Sequence, residues 1–257
     1  MNLDAYKLKW IAIVGMVLSH IVYVGAWREV MPLWLYFALG ALGGLTFPIL
    51  SYFIADGYRH TSSLKRYISR LLIFGLVALP FHFLVISMPF FNIMFTIALS
   101  LMVLRLYDKI KIRALFWVLY ILIIVPISTM FFEWYFIGVT MVLLSYIIRN
   151  KTARCIVPPV FMGVCLIMMA LLALPFVGDY APEASGVFRN ANMFFSRDAL
   201  MGLIPAGLVC MSVAVLLKNY NGQRGKKSKW LFYVIYPLHF AVIAAIAIAT
   251  GAISLAF

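Results

Sequence analysis

Long apolar runs separated by short polar segments are the dominant pattern of the chain. Nine such runs cover approximately residues 10–27, 34–56, 69–88, 93–107, 113–132, 134–149, 156–176, 198–217 and 230–249. A transmembrane α-helix needs about 20 apolar residues, whereas a strand of a membrane barrel needs about 10. The pattern therefore predicts an all-α, polytopic membrane helix bundle with about nine transmembrane helices. The fourth and sixth runs, of about 15 residues each, are short for an untilted crossing.

The composition also indicates a membrane protein. Hydrophobic residues make up 65% of the chain and charged residues 11%, whereas soluble domains are roughly half apolar and a quarter charged. Because the bilayer rather than a second core buries the apolar surface, we expect residues 1–257 to form a single transmembrane domain. The cysteines lie in apolar runs without metal-ligand spacing, so no metal is expected.

The positive charges alternate between loops. A net charge of +13 would suggest a nucleic-acid partner in a soluble protein, but here it indicates orientation, and no nucleic acid is expected. If the N-terminus is cytoplasmic, the inner loops hold 18 of the 21 Lys and Arg residues, and only Arg28, Arg189 and Arg197 lie outside. Since cytoplasmic loops collect Lys and Arg, we predict a cytoplasmic N-terminus and, after nine crossings, a C-terminus on the outer side.

Three of the four histidines fall at one depth within the predicted spans. At 1.5 Å per residue, His20 lies about 15 Å from Trp10, His239 about 14 Å from Trp230 and His82 about 18 Å from Arg70. A neutral imidazole at that depth either joins two helices by a hydrogen bond or takes part in catalysis or proton transfer. For His82, which follows Pro80 and has aromatic neighbours, packing is the favoured interpretation.

Polar residues crowd the predicted cytoplasmic end of the second span. Asp56, His60 and Tyr67 lie there with the cations Arg59, Lys65, Arg66 and Arg70. Such a cluster can hold a phosphate-rich ligand. It can also anchor the protein to anionic lipid headgroups, and that second interpretation is favoured from the charge pattern alone.

Several segments resemble a known family. These are SHIVY at residues 19–23, TFPILSYFIADGYRHTSSLKRYISRLLIF at 46–74, FNIMFTIAL at 91–99 and NGQRGKKSKWLFYVIYPLHFAVI at 221–243. In that order they look like the TraX family, integral-membrane proteins named for the enzyme that acetylates the N-terminus of F-pilin. The resemblance implies a multi-pass protein of the bacterial inner membrane. It also implies an acyltransferase that moves an acetyl or other acyl group from acyl-CoA in the cytoplasm to an amine or hydroxyl, such as a pilin N-terminus or a glycan.

The resemblance also assigns expected roles. The expected catalytic residues are His20, His239, Asp56 and His60; the expected acyl-CoA-binding residues are Arg59, Lys65, Arg66, Tyr67 and Arg70; and the expected acceptor-binding residues are Asn92, Thr96 and Tyr236. For Asn92, capping of the fourth helix is the favoured alternative. The chain departs from the family pattern at four positions, where Ser19 replaces an Asp, Gly44 an Arg, Ala78 a Glu and His82 an Asp.

Two other functions fit the same residues. The histidines could titrate in a proton-coupled transporter or flippase, or the protein could be a non-catalytic helper of a secretion or conjugation system. Glu133, between two aromatic runs, is expected to be solvated rather than to bind an acceptor amine. Acyl transfer requires that a cavity open to the cytoplasm lets His20 and His239 meet.

Overall fold

Helices account for nearly all of the regular structure in the part of the chain that the computed structural model describes, residues 2–86, 88, 90–176, 197–226 and 230–253. In these ranges the α-helices are α1 Ala5–His20, α2 Gly25–Val30, α3 Leu33–Leu42, α4 Thr46–His60, α5 Leu64–Ile86, α6 Ile93–Lys109, α7 Arg113–Leu119, α8 Val125–Phe131, α9 Tyr135–Ile147, α10 Lys151–Ala173, α11 Arg197–Lys218 and α12 Leu231–Ala249. The predicted all-α fold is confirmed.

Seven helical segments are long and apolar enough to cross a bilayer. They are Ala5–Tyr23, Leu33–His60, Leu64–Ile86, Arg113–Phe131, Lys151–Ala173, Arg197–Lys218 and Leu231–Ala249. The two runs that the sequence marks as short form α6 and α9, and α9 is an apolar helix of 13 residues. Every predicted run is therefore helical, and the two short ones fall outside the group of seven.

The second predicted span changes from α-helical to 3₁₀ geometry next to the end of α1. A 3₁₀ turn, Gly43–Leu45, joins α3 to α4. A Cβ atom at Gly43 would lie 2.9 Å from the Ser19 side chain, and one at Gly44 would lie 2.5 Å from the carbonyl oxygen of Ala206. Only glycine allows α1 and α11 to approach this 3₁₀ turn so closely, and Ser19 and His20 are buried at this contact.

Side-chain and backbone contacts show which helix ends share a face. The N-terminal segment pairs with the end of α11 through Leu3 and Asn219. Arg59 at the end of α4 donates to the carbonyl of Tyr146 at the end of α9. At the opposite face, Trp27 donates to Thr250 after α12. The two ends of the described chain thus lie on opposite faces, and the assignment of the basic face to the cytoplasm stays a prediction.

The centre of the bundle is formed by α4, α6 and α9, with α1 and α12 packed beside them. Phe47, Met94, Ile97, Met141 and Phe240 are essentially inaccessible there. Apolar side chains on the outer faces of α5, α7, α8 and α10 are exposed, as expected for surfaces that contact lipid. The candidate site lies where α1 and α12 meet this centre.

Candidate active site

His20 and His239 are in contact, as the proposed chemistry requires. Nε2 of His239 lies 3.2 Å from Nδ1 of His20, and the ring centroids are 4.9 Å apart. Both residues are buried. His20 is the last residue of α1 and His239 lies in the middle of α12, so the first and last described helices are joined at this point.

The hydrogen bonds of the two imidazoles define their protonation. Nδ1 of His20 lies 2.7 Å from the carbonyl oxygen of Met16, and Nδ1 of His239 lies 3.1 Å from that of Ile235. A carbonyl oxygen only accepts, so each Nδ1 carries the proton. The single Nδ1–H of His20 is then shared between the Met16 carbonyl oxygen, at 2.7 Å, and Nε2 of His239, at 3.2 Å, and the basic lone pair of His20 is on its own Nε2.

Phe240 connects the third buried histidine to this pair. The ring of Phe240 lies 4.6 Å from that of His20, 4.2 Å from that of His239 and 5.3 Å from that of His82, centroid to centroid. The three histidines at one depth are thus arranged around one ring. Within the described residues no group of three or more His, Cys, Asp and Glu side chains is placed to hold a metal ion.

An outer cavity of about 140 Å³ runs from His20 toward the turn between α8 and α9. Its polar lining includes His20, Tyr23, Tyr36, Glu133 and Tyr236. The hydroxyl of Tyr236 is buried and has no hydrogen-bond partner among the described residues. A small polar group that entered this cavity would therefore meet a basic nitrogen, a carboxylate and phenol hydroxyls.

Glu133 is partly buried, contrary to the expectation that it is solvated. Its side chain is 23% exposed, and its Oε2 accepts from the backbone N–H of Ile93 at 2.8 Å. The same oxygen lies 3.7 Å from Nε2 of His82. Neither ring nitrogen of His82 has a hydrogen-bond partner in the described part of the chain. His82 packs against aromatic rings, as favoured, but it also lies beside the Glu133 carboxylate, a neighbour that the sequence did not predict.

The turn that carries Glu133 has a strained backbone. Trp134 and Tyr135 have φ values of 66° and 48°, in the left-handed region that costs a side-chain-bearing residue about 1–2 kcal/mol. The ring of Trp134 stacks on Phe47 at 5.8 Å, and the N–H of Glu133 donates to the carbonyl of Phe91. Strain maintained by surrounding contacts is common at functional sites, and here those contacts hold the carboxylate beside the cavity.

Asn92 and Thr96 hold this turn in place. Asn92 accepts from the N–H of Met94 and donates to the carbonyl of Gly75, so it caps α6 as favoured. Thr96 donates to the backbone carbonyl of Glu133 at 2.7 Å. Both side chains are fully buried. The structure therefore places these two expected acceptor-binding residues behind Glu133, whereas Tyr236 lines the outer cavity directly.

An inner cavity of about 690 Å³ occupies the basic face. Its charged residues, histidine and tyrosines are Lys9, Asp56, His60, Tyr67, Arg70, Tyr220, Arg224 and Tyr233. The guanidinium of Arg70 lies 5.9 Å from the ring of Tyr67 and 5.8 Å from that of Tyr233, and its Nε is buried without a partner among the described residues. Burial raises the pKa of Tyr220 further above neutral pH. Its hydroxyl is therefore protonated and can donate a hydrogen bond to a ligand.

A family model described as "TraX protein" matches residues 5–247. The chain belongs to the TraX family. It is also 27% identical over 272 residues to a Dichelobacter nodosus protein named "Probable fimbrial assembly protein FimC, serogroup H1", and the similarity covers 95% of this chain and 96% of the relative. No solved structure matches the chain. The apolar helices and the bacterial relative confirm the predicted multi-pass membrane protein.

In this TraX protein the remaining expected residues fall into separate groups. Asp56 and His60 line the inner cavity, where Nδ1 of His60 contacts the carbonyl of Asp56 and Arg154 lies 3.6 Å from the Asp56 carboxylate. They do not line the outer cavity with His20. Of the expected acyl-CoA-binding residues, Tyr67 and Arg70 line the inner cavity and Lys65 and Arg66 are exposed outside its lining. Arg59 turns toward Tyr146 and lines a different cavity.

Residues 221–225, NGQRG, form a turn that contributes to the inner cavity and that sequence reasoning did not connect with the site. Gly222 and Gly225 have φ values of +80° and +67°, and Asn221 accepts from the N–H of Gln223. The carbonyl of Gln223 accepts from the N–H of Ala5, which ties the turn to the start of α1. This turn places Arg224 in the inner cavity. The glycines in the segment were the available signal for a turn of defined shape.

The inner cavity does not reach the histidine pair. Four helices contribute residues to both cavities about one turn apart, namely Ile13 and Met16 in α1, Leu50 and Thr46 in α4, Ile97 and Ile93 in α6, and Phe232 and Tyr236 in α12. One helical turn is about 5.4 Å long. In these four helices a layer about one helical turn thick, which we call the dividing wall, therefore lies between the inner cavity and the outer cavity that His20 lines. The inner cavity alone does not provide the expected passage from the cytoplasmic face to His20.

Proposed function

We propose that this TraX protein is a membrane-bound acyltransferase that transfers an acyl group from acyl-CoA in the inner cavity to an amine or hydroxyl in the outer cavity. The observation that carries the proposal is the contact between His20 and His239 beside the outer cavity. The basic inner cavity begins about one helical turn from the outer cavity, toward the opposite face. The similarity to a probable fimbrial assembly protein favours a pilus or fimbrial subunit as acceptor, and a glycan is the alternative acceptor.

The inner cavity has the chemistry to bind the nucleotide part of acyl-CoA. Lys9, Arg70 and Arg224 supply positive charge for phosphate groups, and the buried, unpartnered Nε of Arg70 supplies a donor. The rings of Tyr67 and Tyr233 are available to stack against a base. These features go beyond simple anchoring to headgroups, because the cations line a cavity rather than an open surface.

The hydrogen bonds of His20 suit a general base. The reaction requires that the thioester end of acyl-CoA passes the dividing wall to reach His20. The acceptor nitrogen or oxygen then attacks the thioester carbonyl, Nε2 of His20 takes the acceptor's proton, and the departing CoA thiolate receives that proton from His20. The resulting imidazolium is stabilised because its Nδ1–H faces the Met16 carbonyl and the lone pair on Nε2 of His239. His239 thereby takes the orienting role that a carboxylate has in a catalytic triad, which is consistent with Ser19 replacing the family's expected Asp.

Glu133 is placed to hold an acceptor amine. Its carboxylate lines the same cavity as His20 and is fixed by Ile93 N–H, so a primary ammonium could be bound there before it loses its proton. An acceptor that enters from the outer face meets Glu133 at the α8 to α9 turn first. A pilus subunit with a free N-terminus fits this order of contacts.

The test uses the full-length protein in detergent or nanodiscs with radiolabelled acetyl-CoA. Acceptors are a peptide with a free N-terminus, the same peptide with a blocked N-terminus, and a set of oligosaccharides. We expect labelled product and release of free CoA, both lost in His20→Ala and kept in Met102→Ala, which alters a lipid-facing side chain. If the wild-type protein labels none of the acceptors and releases no CoA, the proposal is wrong. Proton-driven uptake into proteoliposomes that depends on His20 would instead support the transporter.

A further inference from the structure

A third cavity lies on the cytoplasmic face, between the ends of α4, α6 and α9 and the beginning of α7. Its volume is about 430 Å³, and it is lined by Arg59, Tyr107, Asp108, Arg113, Tyr146, Ile147 and Arg149. It shares none of these residues with the inner or outer cavity. We call it the arginine cavity, and the proposed acyl transfer does not use it.

Two of the three arginines are held in fixed positions around the arginine cavity. Arg59 donates to the carbonyl of Tyr146 at 2.6 Å and lies 5.2 Å from the centre of its ring. Arg113 donates to the carbonyl of Ile110 at 3.0 Å and lies 4.0 Å from the centre of the Tyr107 ring. A guanidinium has five N–H groups, so each retains donors that a ligand can use.

The single carboxylate in the arginine cavity is bound by neutral groups. Asp108 accepts from the hydroxyl of Tyr58 at 2.7 Å and from that of Tyr146 at 2.8 Å. Among the described residues no ion pair joins Asp108 to an arginine. Three guanidiniums against one carboxylate leave the lining with an excess of positive charge. An anion with several oxygen acceptors is the ligand that fits this lining.

The position of the arginine cavity points to a lipid as the source of that anion. The helical segment Arg113–Phe131 begins at the arginine cavity and is the least buried of the long apolar segments, at 17%. At the beginning of this segment the apolar side chains of Ile112, Leu115 and Val118 are exposed by 66%, 46% and 51%. An apolar, lipid-facing surface therefore starts at the depth of the guanidiniums, as the acyl chains of a phospholipid start just below its phosphate.

We propose that the arginine cavity binds the phosphodiester headgroup of an anionic phospholipid of the inner leaflet, with the acyl chains lying along α7. Guanidinium forks suit phosphate oxygens. The net charge of the cavity favours lipids with an anionic headgroup over zwitterionic lipids, which carry the same phosphodiester together with a cationic group. The proposal does not depend on acyl transfer.

The lipid-binding proposal is tested by measuring how added lipids change the melting temperature of the full-length protein in detergent. Phosphatidylglycerol should raise the melting temperature more than phosphatidylcholine does. Arg149→Gln and Arg113→Gln should each weaken the apparent affinity for phosphatidylglycerol about five-fold, the effect of one basic residue near an anionic lipid surface. Lys111→Gln, which removes a nearby exposed cation outside the cavity lining, is the control and should leave that affinity unchanged.

Three results would overturn the proposal. Equal effects of phosphatidylglycerol and phosphatidylcholine on the wild-type protein would remove the charge selectivity. A loss in Lys111→Gln as large as in Arg149→Gln would indicate diffuse surface charge. An equal rise in melting temperature with inorganic phosphate or glycerol phosphate would identify a soluble anion as the ligand. Arg149→Gln decides the outcome if Arg113→Gln unfolds, because Arg113 also packs on Tyr107.

Discussion

Nε2 of His239 lies 3.2 Å from Nδ1 of His20, although 219 positions separate the two residues in the chain. The contact gives the two imidazoles different tasks, because only His20 lines the outer cavity. In the proposed mechanism His20 is the group that contacts the acceptor, and His239 acts on the acceptor through His20. The following predictions separate these tasks and those of the surrounding residues.

We predict unequal losses of activity in the two histidine variants. His20→Ala removes the proposed general base and should lower kcat by about 10²–10⁴-fold. His239→Ala should lower kcat less, with KM for acetyl-CoA unchanged, because the base remains but loses its orienting partner. Initial rates of label transfer at several donor concentrations measure both effects. Equal losses in the two variants, or a change confined to KM, would contradict the assignment.

Glu133→Gln is predicted to impair amine acceptors selectively. The amide oxygen of Gln can still accept from Ile93 N–H, so the turn should stay folded, but the negative charge is lost. We expect KM for a peptide amine to rise about ten-fold, the effect of one charge-assisted hydrogen bond, with little change in KM for acetyl-CoA. Glu29→Gln, at an exposed position between α1 and α3, is the control. An unchanged KM for the amine would remove Glu133 from the acceptor site.

Arg70→Gln is predicted to weaken donor binding. Its guanidinium lies between Tyr67 and Tyr233 in the inner cavity, and charge-assisted hydrogen bonds contribute about 1.5–3 kcal/mol each. Titration calorimetry with CoA should show at least a ten-fold weaker affinity. Lys65→Gln removes an exposed cation from the same helix without touching the cavity lining, and should bind CoA normally. A loss of the same size in Lys65→Gln would indicate general attraction to the basic face.

The two left-handed glycines before α12 should differ in their tolerance of alanine. Gly222→Ala should cost about 1–2 kcal/mol, because the new Cβ meets no atom within 4 Å and only backbone strain remains. Gly225→Ala should cost about 2–4 kcal/mol, because strain is combined with overpacking. The new Cβ of Gly225→Ala would lie 2.7 Å from Cγ of Asp4, the residue that caps α1. Thermal unfolding measures the order, and a smaller effect at Gly225 would contradict the packing described here.

The sequence was sufficient for features that depend on bilayer thickness. The apolar runs marked the helices, and counting residues from Trp10 and Trp230 placed His20 and His239 at one depth, where they are in contact. Glu133 was misjudged because charge pattern and position in a turn suggest water. The structure shows instead that residues far along the chain, Ile93 and His82, surround it.

The basic cluster illustrates a second limit of sequence reasoning. Arg59 and His60 are adjacent in the chain, but consecutive residues of an α-helix point about 100° apart. His60 therefore lines the inner cavity and Arg59 the arginine cavity. A local count of positive charges cannot make this distinction, because it depends on which helices lie on either side of α4. Arg224 was missed because it is distant in sequence from the residues of the basic cluster and joins them only through the turn before α12.

The dividing wall has a consequence for the energy balance of the cell. Four helices contribute one turn each to the layer between the two cavities. Under the proposed mechanism the thioester end of acyl-CoA would pass this layer by rotation of a few side chains, without separation of whole helices. If the side chains stay packed around the inserted chain, bulk water and ions would find no continuous path. The proposed transferase would then acylate an acceptor at the outer face while the proton gradient across the membrane is preserved.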